Sequence, residues 1–152
     1  MIEIERKFLV SQSKWQPVGA GTKIKQGYLS VDPERVVRVR LSGPMAYLTI
    51  KGPAKGIART ELEYKIPLDD AEILIKMCVG YPVVKTRYIE RIGKNVWEID
   101  VFEEENKGLV LAEIELDDEN QIVDLPAWVE EEVSENQRFF NSFLSQNPFT
   151  LW

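Results

Sequence analysis

At 152 residues, with 44% hydrophobic and 29% charged side chains, the chain has the length and composition of one globular unit, residues 1–152, able to bury a core. Its net charge of −6 argues against a broad nucleic-acid surface. It contains no histidine, which removes imidazole acid–base catalysis, Ser/His/Asp triads and His-built metal sites, and leaves oxygen ligands suited to Mg²⁺, Mn²⁺ or Ca²⁺ rather than Zn²⁺.

The predicted elements begin with a strand over 2–10, in which Glu3, Glu5 and Lys7 alternate with Ile2, Ile4 and Phe8. Side chains of a strand point alternately to its two faces. Two carboxylates and an ammonium therefore share one face, where they can hold a divalent metal and an anion side by side. The acidic start has no basic n-region, which argues against a secretory signal. Strands are predicted next over 24–30, 36–42, 46–51 and 58–66, divided by turn signals at Asp32-Pro33, Gly43-Pro44 and Gly52-Pro53. Arg38 and Arg40 share a face, as do Thr49 and Lys51, and then Arg59, Glu61 and Glu63. Residues 52–56 lack both the GxxxxGK[ST] pattern and the following helix of a phosphate loop, and read as a β-turn.

A helix is predicted over 69–79, with Ile73, Leu74 and Met77 on one side. The only cysteine, Cys78, lies in this apolar stretch and reads as a core residue. It cannot form an internal disulfide, which fits a reducing cytoplasm. Strands over 83–91, 95–102 and 110–116 follow, on which Lys85 pairs with Arg87, Glu98 with Asp100, and Glu113 with Glu115. A short helix is expected over 117–123. A clearer one is expected over 134–146, where Ser134 and Gln137 form a capping-box pattern ahead of Phe139, Phe140, Phe143 and Leu144. No apolar run approaches the ~20 residues that span a bilayer as a helix.

Eight strands are about the number that closes a small barrel. The expected fold is all-β-dominated (α+β): a closed eight-stranded antiparallel barrel with a few packing helices. Each charged pair alone reads as the solvated face of a sheet. Jointly they read differently, because the positions are almost all Arg, Lys, Glu or Asp and the signs segregate by strand. Like charges on one strand face repel, so a bound metal and a bound polyanion are expected to compensate them. The sharper expectation is an inverted barrel, with charged faces lining a wet tunnel and apolar faces turned outward under helices. The alternative, a solvated β-domain, predicts neither metal dependence nor phosphate binding.

Glu3-x-Glu5-x-Lys7, followed in order by Gln26-Gly27-Tyr28-Leu29, Arg38-x-Arg40, Thr49-x-Lys51, Arg59-x-Glu61-x-Glu63, Lys85-x-Arg87-Tyr88, Glu98-x-Asp100-x-Phe102 and Glu113-x-Glu115, resembles the CYTH superfamily of triphosphate tunnel metalloenzymes. Trp128, Glu132-Val133-Ser134, Arg138 and Asn141 resemble its closing helix, although Asn136 and Phe139 depart from the usual acid and tyrosine. The resemblance covers nearly the whole chain. It implies a tunnel binding a triphosphate with one or two Mg²⁺ or Mn²⁺ ions, in the manner of the short bacterial inorganic tripolyphosphatases. It implies phosphate contacts from Lys7, Arg38, Arg40, Lys51, Arg59, Arg87 and Arg138, and water activation by Lys85 with Tyr28. It implies metal ligands among Glu3, Glu5, Glu63, Glu113 and Glu115, with Glu61, Glu98 and Asp100 as further candidates. A small triphosphate or polyphosphate is the implied partner. A homodimer is compatible with the resemblance, although no periodic stripe marks an interface. The competing chemistries are a class IV-type adenylyl cyclase, a thiamine triphosphatase, an RNA triphosphatase and a polyphosphate-binding module without turnover. Trp15, Trp97 and Trp128 are candidate stacking groups for an organic moiety, with packing as the plainer reading.

Overall fold

All eight expected strands form. The computed structural model describes residues 1–152 and contains β1 (Ile2–Val10), β2 (Thr22–Ser30), β3 (Val36–Ser42), β4 (Met45–Lys51), β5 (Ala58–Lys65), β6 (Val79–Ile92), β7 (Asn95–Phe102) and β8 (Val110–Glu115). Neighbours run antiparallel in the order β5-β4-β3-β2-β6-β7-β8-β1, and β1 pairs back to β5. The sheet thus closes on itself and leaves no free edge in the ring. A ninth strand, β9 (Val129–Glu132), lies outside the ring against the end of β1, through Phe8–Glu132 and Val10–Val129. Nothing in its Glu-rich sequence marks it as a strand.

The helices depart from expectation. One forms close to its predicted place, as α1 (Leu68–Lys76). It stops short of residue 79 because Val79 begins β6 and Gly80 takes φ 71°. The helix expected over 117–123 is absent. Its side chains bond locally instead: Asp117 N–H donates to Gln121 Oε1 (2.9 Å) and Asn120 N–H to Asp118 Oδ1 (2.7 Å), which favours turns over helix. The helix expected over 134–146 is also replaced. A 3₁₀ turn (Gln137–Phe139) and the single-turn α2 (Asn141–Leu144) flank an extended Phe140 (φ −72°, ψ 136°). The capping box fails because Ser134 Oγ accepts the N–H of Lys7 in β1 (2.9 Å). Asn136 Oδ1 caps the 3₁₀ turn instead, accepting from Arg138 N–H (3.1 Å).

The apolar faces do turn outward, but mostly under loops rather than helices. Phe8, Trp97, Ile99, Ala112 and Ile114 on β1, β7 and β8 pack beneath Trp15 and Trp128. Trp97 meets Phe8 and Trp128 with ring centroids 5.7 and 5.4 Å apart. Val39 and Ala46 lie under α1, beside Ala71, with Cys78 half-buried at the margin. A further cluster of Val83, Phe102, Leu111, Val133 and Leu144 carries the inward alternation of β6, β7 and β8 to apolar residues and stoppers that end of the barrel.

Candidate active site

Alternation along the strands, combined with closure, gathers the charged faces into one cavity of about 310 Å³ inside the barrel. Glu3, Glu5 and Lys7 enter it from β1, Tyr28 from β2, and Arg38 and Arg40 from β3. Lys51 comes from β4, and Arg59, Glu61 and Glu63 from β5. Lys85 and Arg87 come from β6, Glu98 from β7, and Glu113 and Glu115 from β8. The turn after β4 also reaches it, through Ala54, Gly56 and Ile57. A tight turn does form here, but at 55–58 rather than the expected 52–56, with Lys55 and Ala58 bonding each other's backbone (2.8 and 3.1 Å).

Two expected site residues are not on the cavity wall. Arg138 is exposed on the C-terminal segment, its guanidinium 4.1 Å over the ring of Trp152. Asp100 is fully buried behind the wall, where Arg87 Nε and Nη2 donate to its two oxygens (2.7 and 2.9 Å) and Lys85 Nζ lies 2.7 Å from Oδ2. Both carboxylate oxygens are engaged by cations, so Asp100 orders the basic residues rather than facing the lumen.

The like-charge blocks on each strand are compensated in part across strands. Lys51 Nζ donates to Glu3 (2.9 Å) and lies 3.9 Å from Glu61. Arg38 lies 3.6 Å from Glu63, and Arg87 lies 3.0 Å from Glu98 and 3.6 Å from Glu113. The register also opposes acid to acid, pairing Glu5 with Glu115 and Glu98 with Glu113.

These contacts set the proton affinities. Burial raises the Glu5 carboxyl well above its usual range, helped by the Glu113 charge. Burial pushes Glu113 the same way, but Lys7, a hydrogen bond from Glu5, Arg87 and Lys85 outweigh it and hold Glu113 well below the usual range. Of this close carboxyl pair, Glu5 is therefore the one that takes a proton first and Glu113 the one that stays ionised. Burial and a hydrogen bond with Glu61 likewise raise Glu3. Burial lowers Arg40 to about 10, aided by Arg38 and Arg87. Lys85 falls to about 7: burial dominates, Arg87 and Arg40 add to it, and Asp100 opposes it. The ion pair with Asp100 alone would raise Lys85, but Asp100 is shared with Arg87 and its effect is diluted.

The donor set suits a hard divalent ion. All the candidate ligands are carboxylates, and they come as pairs; no three acidic side chains converge into a closed cage. Mg²⁺ is characteristically held this way, by one or two carboxylates completed by water and substrate phosphate. A protonated Glu5–Glu113 pair occupies positions that a divalent ion can take over by displacing the proton.

Two residues outside the expected site set join it. Gln26 on β2 is fully buried, with Oε1 accepting from Arg40 Nε (2.8 Å) and Nε2 donating to Tyr28 Oη (3.1 Å). Its alternation with Tyr28 was the signal that could have found it. Asn141 opens α2 and lines the cavity, accepting from both Lys85 Nζ (3.0 Å) and Gln26 Nε2 (3.1 Å). No periodicity could place it, since it follows an irregular segment.

Residues 1–144 match the CYTH domain model. An inorganic triphosphatase of Acetivibrio thermocellus is 43% identical over 148 residues, covering 97% of this chain and 95% of the relative. One of Nitrosomonas europaea is 34% identical over 149 residues, covering 95% and 97%. The crystal structure of the inorganic triphosphatase NE1496 superposes with a TM-score of 0.67 at 33% identity, covering 94% of this chain and 93% of that one.

Proposed function

This chain belongs to the CYTH family, and from that premise we propose that it is a divalent-metal-dependent hydrolase of inorganic tripolyphosphate, yielding pyrophosphate and phosphate. The observation that carries the substrate is the lining of the cavity: charged residues on all sides, with Tyr28 and Phe140 as its only aromatic side chains. Trp15, Trp97 and Trp128 all pack outside the barrel wall. A cyclase or a thiamine triphosphatase needs a surface for a base or a thiazolium, and this lumen offers no tryptophan and only these two rings, one of them held by Gln26. A pure binding module has no use for a buried lysine poised near neutrality.

Arg38, Arg40 and Arg87, with Lys7, Lys51 and Arg59, bind and align the phosphate oxygens; the planar guanidinium forks match them best. Lys85, fully buried, is a neutral amine above pH about 7 and takes the proton of the attacking water. The water oxygen bonds to a terminal phosphorus, and the bridging bond to the pyrophosphate breaks. Tyr28 is held by Gln26 so that its hydroxyl faces the same space. Pairs drawn from the cavity carboxylates Glu3, Glu5, Glu61, Glu63, Glu113 and Glu115 would hold Mg²⁺ or Mn²⁺, completed by water and substrate phosphate. A bound ion supplies charge neutralisation and Lewis-acid polarisation of phosphate oxygens. The unpaired cysteine supports a reducing, cytoplasmic setting. No helix is long and apolar enough to cross a membrane.

The test is phosphate release from tripolyphosphate with Mg²⁺ or Mn²⁺, with ATP run in parallel and assayed for phosphate and cyclic AMP. Metal-dependent turnover of tripolyphosphate with little action on ATP is the expected result. Cyclic AMP would move the chain to the cyclase branch, and tight binding without turnover would make it a binding module.

A further inference from the structure

The amide contacts around Lys85 fix each other's orientation. Arg40 Nε can only donate, so the Gln26 atom facing it at 2.8 Å must be the carbonyl oxygen. Gln26 Nε2 is then the atom turned toward Asn141, 3.1 Å away. The Asn141 atom that receives it must be an acceptor, Oδ1. The same oxygen receives Lys85 Nζ at 3.0 Å, so both donors converge on one carbonyl. Neither amide can flip without breaking a contact to a cation.

Lys85 Nζ has four tetrahedral directions. One is the bond to Cε. A second points to Asp100 Oδ2 at 2.7 Å and a third to Asn141 Oδ1 at 3.0 Å. Only the fourth is free to exchange a proton with a substrate water. Asp100 alone fixes one direction and leaves the ammonium able to pivot about that contact. A second acceptor removes that freedom.

We propose that Asn141 is a positioning residue for the reaction: its Oδ1, locked by Gln26, fixes the direction in which Lys85 Nζ faces the substrate. The C-terminal segment thereby completes the active site. Its anchoring fits this role: Leu144 is fully buried, and Ser145 O accepts the N–H of Tyr81 at the start of β6 (2.7 Å). Asn141 is thus held from the strand that carries Lys85.

The inference rests on Lys85 as the proton acceptor, so its test has one arm independent of turnover. Protein labelled with ¹⁵N-lysine is observed by ¹H–¹⁵N correlation of the side-chain ammonium groups at low pH, with Lys85→Arg assigning the Lys85 signal. Asn141→Ala is expected to shift or broaden that signal, and Asn147→Ala, exposed on the same segment, to leave it in place. In tripolyphosphate hydrolysis, Asn141→Ala is expected to lower kcat about 10- to 100-fold with KM changed less than about threefold, as misplacement of a reacting group does. Asn141→Asp, which keeps the acceptor, is expected to restore the ammonium signal. An unmoved Lys85 signal in Asn141→Ala overturns the proposal, whatever happens to kcat. If the wild-type protein does not hydrolyse tripolyphosphate, the functional reading fails, and the Lys85 signal still decides whether Asn141 positions it.

Discussion

Lys85 and Asp100 form an ion pair inside the barrel wall, Nζ to Oδ2 2.7 Å, with both residues shielded from solvent. They are not direct cross-strand partners: the register pairs Lys85 with Phe102 and Arg87 with Asp100. Asp100 therefore serves two cations, one opposite and one diagonal. It keeps Arg87 charged and orders Lys85 without holding it fully protonated.

Removing that shared carboxylate leaves two buried cations short of a partner. Asp100→Asn is expected to destabilise the fold by about 3–5 kcal/mol, the usual cost of breaking a buried pair from one side. Urea denaturation of the metal-free protein measures it. A loss below about 1 kcal/mol, typical of exposed pairs, would mean the contact carries no such weight.

Activity should follow the Lys85 amine. The proton-accepting form is the neutral one, so kcat/KM for tripolyphosphate rises with pH through about 7 and then levels. Bound phosphate favours the ammonium, so the matching limb in kcat lies at higher pH. Lys85→Ala abolishes the limb as well as most of the rate. A limb that survives in the residual activity would belong to another group.

Divalent-ion binding should release protons. Glu5 is raised by burial and by Glu113, so it keeps its proton to higher pH than a free carboxyl, and a metal bound there displaces that proton. Titration calorimetry of Mn²⁺ in buffers of different ionisation enthalpy is expected to show proton release on binding, which falls toward zero as pH rises. Glu113→Gln weakens the ion and reduces that release, leaving the part that burial of Glu5 contributes. Buffer-independent heats in the unmodified protein would refute the proton held on Glu5.

The C-terminal segment offers a fourth check, at a distance from the charges. Gly80 sits at φ 71°, and a Cβ there would lie 2.3 Å from Ser145 O. Gly80→Ala is expected to cost about 1–3 kcal/mol from backbone strain alone, with the clash in addition. Because the clash pushes α2 away from β6, kcat should fall with the melting temperature. Unchanged kcat in a well-folded Gly80→Ala protein would show that α2 docks without regard to the site.

The strands were legible because each alternates charge with β-branched or aromatic residues, a period of two that survives burial on one face and wetting on the other. β9 was not, since Val129–Glu132 is short, acidic and paired with no strand but β1. The helix expected over 134–146 failed for a related reason. Ser134 has two uses, as a cap or as a partner for the Lys7 N–H, and the backbone gap in β1 takes it.

For the site, the sequence by itself determined the cast: paired carboxylates, Arg and Lys at i, i+2 spacing, and no histidine to compete with them. Tertiary structure decided the roles. Closure of the barrel turned separate charged faces into one lumen, and register set which charges meet. It withdrew Asp100 behind the wall, left Arg138 stacked on Trp152, and brought Gln26 and Asn141, 115 residues apart, onto one another. Alternation fixes the face of a side chain locally. Which neighbour it finds there depends on strand order and on a segment without periodicity, and neither is written in any one stretch of chain.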